Sequence, residues 1–327
     1  MPCKTAIVTG ASSGIGLALT RHLLSSETTR WRVVLADIDE ESYKKVADTL
    51  DAQRTIFQRT DVSYWEDSCR LFQRAYEWLG EGEDRGAEGR IDLFAANAGV
   101  RDPFPMLLAP SDPDAEPVKP GTAAIEVNLV SVLYALKLLI HYVRKIRRTH
   151  LTAPLAEYDP AMVITSSGTG LYGFPVAPQY CASKHGSVGL TRSVGHPLLA
   201  SDGISVNAVL PGFVMTELTR PLMEALMPAE YITPMDTVLR AFDDLLKVEV
   251  DEKNADVQDT DGKDKMGLNG PGPKRKTGKC VEVCKGQLYY REPVEYCDNA
   301  MRWMFDDVMN EGFWTKAAQF YSAQRET

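Results

Sequence analysis

A glycine-rich stretch near the N-terminus, "TGASSGIG" at residues 9–16, constrains the possible fold more than any other feature of this chain. It follows the apolar run "AIV" and precedes "LALTRHLLSS", in which apolar residues recur at helical spacing. Gly10 permits a tight turn at this point, and Gly16 permits the helix to pack close to a sheet. The stretch therefore predicts a strand that turns directly into a helix.

Strand-like apolar segments recur along the chain and alternate with helical patterns. After the first they lie at 31–39, 55–62, 90–99, 161–168, 203–212 and 279–284, and helical patterns occupy 64–79, 122–148 and 179–201. Strands that are apolar throughout and separated by helices are typical of a parallel sheet covered on both faces. We therefore expect an α/β fold, a doubly wound parallel sheet of the Rossmann type with about seven strands, in one domain over residues 1–327.

Two segments depart from this alternation. Residues 251–278 contain six acidic and six basic residues and almost no apolar ones. Such a segment buries too little apolar surface to offset the entropy of ordering it, so we expect a flexible insertion. Residues 295–322 regain aromatic residues in a helical pattern and predict a C-terminal helical cap.

Composition excludes several classes of partner. The net charge of −9 and a pI near 5.2 argue against nucleic acid. The longest apolar run, 127–143, is broken by Asn128, Lys137 and His141, which favours a buried helix and no membrane insertion. Six scattered cysteines lack metal-site spacing, so we expect reduced thiols and no metal. Without a secretory pattern at the N-terminus, we expect a cytoplasmic protein.

The glycine turn has the form of a dinucleotide-binding site, although an ordinary strand–helix turn is the alternative. Gly14 lets the backbone approach a pyrophosphate, and the following helix offers free N–H groups to the phosphates. Asp37 ends the second strand, 21 residues after Gly16, where a carboxylate can accept both hydroxyls of an adenosine ribose. We expect this end of the cofactor to contact Gly10, Ser12, Ser13, Gly14, Ile15, Gly16, Asp37 and Ile38.

The same residues indicate which dinucleotide is bound. The carboxylate of Asp37 would repel a 2′-phosphate, and neither the turn serines nor Ile38 supplies a cation for one. The sequence therefore favours NAD over NADP. Asp61 ends the third strand, where it is placed either to meet the adenine ring or to cap the strand end, and the sequence leaves both open.

The stretch "QYCASKHG" at 179–186 places Tyr180 four residues before Lys184. Random placement gives about 0.6 such pairs in a chain of this composition, so the pair alone indicates little. Next to a dinucleotide the pair gains a chemical meaning. Lowering the pKa of a tyrosine from about 10 to about 7 requires roughly 4 kcal/mol. An ammonium at ~4 Å, in an effective dielectric of ~20, supplies about that amount.

The motifs together resemble the short-chain dehydrogenase/reductase family. They are the glycine turn, "DV" at 61–62, "NAG" at 97–99, Asn128, Ser167, Tyr180 with Lys184, and "PG" at 211–212, in that order. The resemblance covers about residues 1–220. "YCASKHG" and "NAVLPGFVMT" are similar in particular to the NAD-dependent 15-hydroxyprostaglandin dehydrogenase branch, and "LYYREPVEY" to its fungal relatives in secondary metabolism.

The resemblance implies roles at matching positions. Ser167, thirteen residues before Tyr180, would be the catalytic serine in place of Ser166, and would act with Tyr180 and Lys184. Asn128 would hold the fourth strand and a proton-relay water. The remaining implied cofactor contacts are Asp61, Val62, Asn97, Ala98, Gly99, Tyr180, Lys184, Pro211, Gly212, Val214 and Thr216.

Two features stand outside the family pattern. Pro197 lies within the helix that carries Tyr180, and an interior proline costs about 3 kcal/mol or a kink. We therefore expect a bend or break near His196. Tyr172, between Ser167 and Tyr180, is a possible substrate-loop residue.

Three functional hypotheses follow. The first is an NAD-dependent enzyme that interconverts a secondary alcohol and a ketone on a hydrophobic small molecule, with a place in secondary metabolism. The second keeps the fold but isomerises, dehydrates or cyclises its substrate without net redox change. The third is a nucleotide sensor or scaffold, which would not need the proton donor. The resemblance and the apolar helix also suggest a homodimer or homotetramer.

Overall fold

The computed structural model describes residues 3–78, 89–101, 107, 114–149, 158–220, 227–249, 274–307 and 320. The chain separates into two compact units, Met1–Lys247 with Lys276–Arg291, and Val248–Arg275 with Glu292–Thr327. A single domain over 1–327 therefore stays a prediction.

Ten strands occur within the described residues. They are β1 (Cys3–Thr9), β2 (Arg30–Asp37), β3 (Thr55–Arg59), β4 (Leu93–Ala96), β5 (Ala161–Thr165), β6 (Ser205–Pro211), β7 (Val248–Glu249), β8 (Lys274–Arg275), β9 (Cys280–Cys284) and β10 (Gln287–Tyr290). The first unit contains an eight-stranded sheet in the order β10-β9-β6-β5-β4-β1-β2-β3. All neighbours pair in parallel except β9 and β10. The expected doubly wound parallel sheet is confirmed, with one antiparallel edge strand more than the seven predicted.

Helices cover both faces of this sheet. The helices of the first unit are α1 (Gly14–Leu24), α2 (Glu40–Val46), α3 (Trp65–Trp78), α4 (Ala123–Ile125), α5 (Ser131–Thr149), α6 (Pro178–Asp202) and α7 (Met235–Leu246). The second unit contains α8 (Asn299–Arg302). Because side chains alternate along a strand, Ile7 packs into a core with α3, α5 and α6. Its neighbours Ala6 and Val8 pack into a second core with α1 and α7. This alternation produces the two apolar layers.

The apolar helix predicted over 122–148 is present as a continuous segment, Ala123–Thr149. Between α4 and α5 it contains a π-helical segment, Glu126–Val130. By length and composition this helix could cross a membrane, and 44% of its most apolar window is buried inside the protein. Leu139, Val143 and Ile146 are fully buried against the sheet. The core helix of a globular protein passes the same test of apolarity. A buried helix is what the sequence predicts for this run.

Of the bend or break predicted near His196, the break is wrong, because α6 continues through Pro197 to Asp202. The bend stays a prediction. Tertiary contacts hold the helix on both sides of the proline. A Cβ at Gly195 would lie 2.4 Å from the backbone nitrogen of Gly278, so the two backbones are in close contact. At the C-terminal end, the Arg144 guanidinium donates to both carboxylate oxygens of Asp202, at 2.5 and 2.9 Å. This packing outweighs the one backbone hydrogen bond that a proline removes.

The flexible insertion was predicted over 251–278, and its predicted C-terminal bound is placed too late in the chain. Residues 274–278 form specific contacts. Residues 251–273 lie outside the described residues, but β8 pairs with β7 in the second unit. In the first unit, the side chain of Asn207 donates to the carbonyl of Lys276 at 2.8 Å, and the Gly278 amide donates to Val206 at 2.8 Å. Of the predicted cap at 295–322, the described part contains α8, whose N-cap Asp298 accepts from the Met301 amide at 2.9 Å. Most of the remainder lies outside the described residues.

Two glycines of α6 test this close packing. Gly195 is buried against Gly278, whereas a Cβ at Gly189 would meet nothing within 4 Å. We expect Gly195→Ala to lower the free energy of unfolding by roughly 1–3 kcal/mol, since two backbones must separate. Gly189→Ala should raise it by about 1 kcal/mol, because alanine is the better helix former. Urea denaturation of both variants measures the difference, and equal effects would contradict the close contact.

Candidate active site

The glycine turn brings the start of α1 against the end of β1. Gly10 has φ of +63°, and a Cβ there would lie 2.9 Å from the Cα of Ala98. A Cβ at Gly16 would lie only 2.1 Å from the carbonyl oxygen of Gly10. Only glycine fits at this second position, so the turn and the helix approach each other as the sequence predicts.

The carboxylate of Asp37 is held against this turn. One oxygen accepts from the backbone amide of Ser12 at 2.9 Å, and the other accepts from the amide of Asp39 at 3.0 Å. The hydroxyl of Ser12 is buried and has no hydrogen-bond partner in the described part of the chain. Arg59, the register partner of Asp37 on β3, is an exposed cation that sequence reasoning missed.

A cavity of about 480 Å³ lies above this edge of the sheet, at the carboxyl ends of the parallel strands. Seventeen of the predicted cofactor contacts line it: Gly10, Ser13, Gly14, Ile15, Asp37, Ile38, Asp61, Val62, Asn97, Ala98, Gly99, Tyr180, Lys184, Pro211, Gly212, Val214 and Thr216. Ser12 and Gly16 are not among the lining residues. Ser167 lines the cavity too, whereas Asn128 does not.

Asp61 forms the cap that was one of the two alternatives left open by the sequence, and its contact with the adenine ring stays a prediction. It lines the cavity, and one of its carboxylate oxygens accepts from the amide and the hydroxyl of Ser63, at 3.0 and 2.6 Å. The carboxylate thus caps the turn that precedes α3. The other carboxylate oxygen is not used by this cap.

Ser167 and Ser166 have different surroundings. The Ser167 hydroxyl lies close enough to the Tyr180 phenol to lower the pKa of that phenol. The Ser166 hydroxyl instead donates to the Lys184 carbonyl at 3.1 Å and accepts from Ser187 at 2.8 Å. The structure therefore places Ser167, and not Ser166, beside the tyrosine.

Lys184 lies on the same face of α6 as Tyr180. Its ammonium is 5.4 Å from the centre of the Tyr180 ring and donates to the carbonyl of Thr165 at 2.8 Å. Burial lowers the pKa of Lys184 to about 8, so the side chain still carries its charge at neutral pH. The other ammonium protons are available to the cavity, which Lys184 lines.

The pKa of Tyr180 departs from the expectation of a lowered value. Its phenol oxygen lies deep in the cleft, although part of the side chain stays exposed. Burial disfavours the phenolate and raises the pKa of Tyr180, while the hydrogen bond from Ser167 and the charge of Arg101 lower it in part. In the protein alone, the cost of burial therefore outweighs the effects of Ser167 and Arg101 on the pKa of Tyr180.

Asn128 occupies the π-helical segment and is 2% exposed. Its side-chain oxygen accepts from the amide of Val100 at 2.9 Å, and its amide donates to the Val100 carbonyl at 2.9 Å and to Ser183 at 3.1 Å. Asn128 thus ties the segment after β4 to α6. A Cβ at Gly99 would lie 3.2 Å from the Asn128 oxygen and 3.7 Å from the Lys184 ammonium.

Sequence reasoning missed three residues near this cluster. Arg101 follows Val100, a cavity residue, and its charge acts on the Tyr180 phenol. Thr165 supplies the carbonyl that holds Lys184. Glu282, on β9, binds the hydroxyl of Tyr172. A carboxylate within the apolar strand pattern "KCVEVC" was the one available signal for Glu282.

The residues around the cavity fit a dinucleotide. Only glycine fits at Gly16, where the helix meets the turn. The buried hydroxyl of Ser12 has no partner among the described residues. Asp37 lines the cavity. Gly10, Gly14 and the start of α1 would hold phosphates, and Asp37 would hold the adenosine ribose. No group of three or more His, Cys, Asp or Glu side chains suited to a metal occurs in the described ranges.

Comparison with known proteins agrees with this arrangement. A family model described as short chain dehydrogenase matches residues 4–226. The short-chain dehydrogenase/reductase prx6 of Penicillium rubens is 30% identical over 256 residues, which are 75% of this chain and 78% of that protein. The 15-hydroxyprostaglandin dehydrogenase [NAD(+)] of Rattus norvegicus is 29% identical over 240 residues, which are 72% of this chain and 77% of that protein.

A solved structure, 4-hydroxyisoleucine dehydrogenase complexed with NADH, shares the fold with a TM-score of 0.57. Its sequence is 21% identical, and the match covers 75% of this chain and 91% of that one. The family model spans more than half of the chain, and its matched range contains the glycine turn, Ser167, Tyr180 and Lys184. This protein is therefore a member of the short-chain dehydrogenase family.

Proposed function

We propose that this enzyme interconverts a secondary alcohol and a ketone on a hydrophobic small molecule, with NAD(H) as the cofactor. One observation carries the proposal: Ser167, Tyr180 and Lys184 line the same cavity as the glycine turn and Asp37. A proton acceptor, a hydrogen-bond donor and a dinucleotide cradle are the parts that alcohol oxidation requires.

Residues of the chain transfer the proton and stabilise the negative charge that develops on the substrate oxygen. The bound nicotinamide ring supplies hydride acceptance or donation. Tyr180 takes the proton from the alcohol during oxidation and returns it to the ketone during reduction. Ser167 donates a hydrogen bond to the substrate oxygen as negative charge develops there. Lys184, held by Thr165, places a positive charge beside the phenol and favours the phenolate.

NAD is the preferred dinucleotide in this proposal. The Asp37 carboxylate is anchored by two backbone amides, so it is placed to accept the ribose hydroxyls and to repel a 2′-phosphate. The relative from Rattus norvegicus is named as NAD(+)-dependent, which supports the same choice. Arg59, the register partner of Asp37 on β3, is an exposed cation that would favour NADP, although it does not line the cavity.

The substrate and its context are the least constrained part of the proposal. Val214 and Leu218 line the cavity and present apolar surface, which supports a hydrophobic substrate. A place in secondary metabolism rests on the similarity to fungal family members. A cytoplasmic location stays a prediction.

We also propose a homodimer or homotetramer that uses α5 and α6. Leu133 on α5 is 45% exposed, and Ala182 and Gly189 are exposed on α6. Gly186, a third small residue of α6, instead packs inside the chain. A Cβ there would lie 2.6 Å from the side chain of Leu129.

Replacing the phenol tests the central role. We expect Tyr180→Phe to lower kcat for oxidation of a lipophilic secondary alcohol such as cyclododecanol by roughly a hundredfold to ten-thousandfold. Binding of NADH, followed by its fluorescence, should persist, because the ring stays in place. NADH formation by ultraviolet absorbance is the activity measurement. Absence of turnover across a panel of such alcohols, or a product of unchanged oxidation state, would favour an isomerase, dehydratase or cyclase.

The pH dependence tests the hydrogen bond between Ser167 and Tyr180. Oxidation uses the deprotonated phenol, so the rate should rise as the pH passes the pKa of Tyr180. The bond from Ser167 lowers that pKa, and Ser167→Ala removes it. We therefore expect the midpoint of the pH–rate profile to move to higher pH, with kcat falling roughly a hundredfold. Ser193→Ala, an exposed serine on the same helix as Tyr180, should leave the profile where it is.

Cofactor preference tests the role of Asp37. We expect Asp37→Ser to shift the ratio of kcat/KM values for NAD and NADP toward NADP by about tenfold or more, because the repulsion of a 2′-phosphate is removed. Adding Arg59→Gln should reverse most of the gain, since Arg59 is the nearest cation in register. An unchanged ratio in Asp37→Ser would show that the carboxylate does not contact the ribose.

A further inference from the structure

A three-residue network joins the loop after β5 to the edge of the sheet. The Tyr172 hydroxyl donates to Oε2 of Glu282 at 3.1 Å. Nε of Arg291 donates to the same oxygen at 2.6 Å, and a terminal nitrogen of Arg291 donates to the Tyr172 hydroxyl at 2.9 Å. Glu282 is 9% exposed, so this carboxylate is largely removed from water. The network binds residues separated by 110 positions in the chain.

The loop that carries Tyr172 also carries Ser167. Ser167 caps the short turn Gly168–Gly170 by accepting from the Thr169 amide at 3.2 Å. The Tyr172 amide donates to the Gly168 carbonyl at 3.1 Å, which closes the loop back on the residue next to Ser167. A Cβ at Gly168 would lie 3.9 Å from the second carboxylate oxygen of Glu282. Glu282 therefore binds Tyr172 at one end of this loop and lies near Gly168 at the other.

The same loop contacts the helix of the catalytic tyrosine. The thiol of Cys181, the residue after Tyr180, donates to the carbonyls of Thr169 and Tyr172 at 3.3 and 3.4 Å. A shift of the loop would thus move Ser167 relative to Tyr180. Small displacements of positioning groups can cost up to about a hundredfold in rate.

Packing alone does not account for the network. A buried carboxylate pays a desolvation cost that an apolar residue on β9 would avoid. Val281 and Val283, its neighbours on the strand, are almost fully buried and supply the apolar contacts of this edge. The ion pair with Arg291 offsets the desolvation cost of Glu282. The network in addition fixes the position of Tyr172, which is half-exposed.

We propose that Glu282, with Arg291, is a positioning residue that fixes Tyr172 and thereby holds the Ser167 hydroxyl against the Tyr180 phenol. This inference rests on the proposed function, because it assigns Ser167 and Tyr180 their roles in alcohol oxidation. It adds Glu282, on β9, and Arg291, the residue that follows β10, to the residues that position the site.

Two variants and a matched control test the proposal. Tyr172→Phe removes one hydroxyl from a side chain that is 52% exposed, and Glu282→Gln removes the charge while keeping the shape. Tyr289→Phe is the control, because Tyr289 is 46% exposed and its hydroxyl has no hydrogen bond within the described residues. All three should unfold at nearly the wild-type temperature and bind NADH with unchanged affinity.

We expect both test variants to lower kcat for the alcohol probe by about tenfold, with the KM for NAD unchanged. Their effects should be non-additive in the double variant, since both act through one contact. The midpoint of the pH–rate profile should move to higher pH, because a displaced Ser167 no longer lowers the pKa of Tyr180. A merely structural role would change stability but leave this midpoint in place.

Hydrogen exchange gives a second measurement that does not depend on turnover. Amides of Thr169 and Tyr172 should exchange at least about tenfold faster in both test variants than in wild type or Tyr289→Phe. Unchanged exchange overturns the inference, and so does faster exchange with an unchanged kcat and pH midpoint. Failure of the wild-type enzyme to oxidise any alcohol, with faster exchange in the variants, would instead refute the proposed function.

Discussion

A continuous chain of hydrogen bonds links the glycine turn to Lys184, and the arrangement of the candidate site depends on it. The Thr9 hydroxyl accepts from the amides of Asn97 and Ala98, at 3.0 Å each. The Asn97 side chain donates to the Thr9 carbonyl at 3.0 Å and accepts from Thr165 at 3.1 Å. The Thr165 carbonyl then holds Lys184. These bonds connect the ends of β1, β4 and β5, which parallel pairing brings to one edge of the sheet.

The cluster of Ser167, Tyr180 and Lys184 combines opposed electrostatic effects. Burial lowers the pKa of Lys184 and raises that of Tyr180, so both neutral forms are favoured by desolvation. The charge of Arg101 and the hydrogen bond from Ser167 act in the other direction on Tyr180. A low-dielectric site makes each of these interactions stronger than it would be in water. In the proposed reaction, the position of Ser167 affects the acidity of the phenol as well as the contact with substrate, and we infer that the Glu282 network acts on that position.

Particular residues show how far sequence reasoning reached. The spacing of Gly10 and Gly16 predicted a close approach of helix and turn, because only local geometry is involved. The apolar strands were found for the same reason, since burial on both faces leaves a short continuous apolar run. Pro197 was misjudged, because the contact between Gly195 and Gly278 and the ion pair of Arg144 with Asp202 are invisible in the local pattern. The edge strand β10 was missed because its burial pattern is mostly exposed.

By itself, the sequence determined the fold class, the place of the dinucleotide turn, and the set of polar residues that end the parallel strands. These follow from periodicity and from glycine and carboxylate positions within single elements. Only the tertiary structure decided the direction of the Tyr180 pKa shift, the support of Lys184 by Thr165, and the network of Tyr172, Glu282 and Arg291. Burial and through-space contacts set these properties, and they join residues too distant in the chain for any local pattern to register.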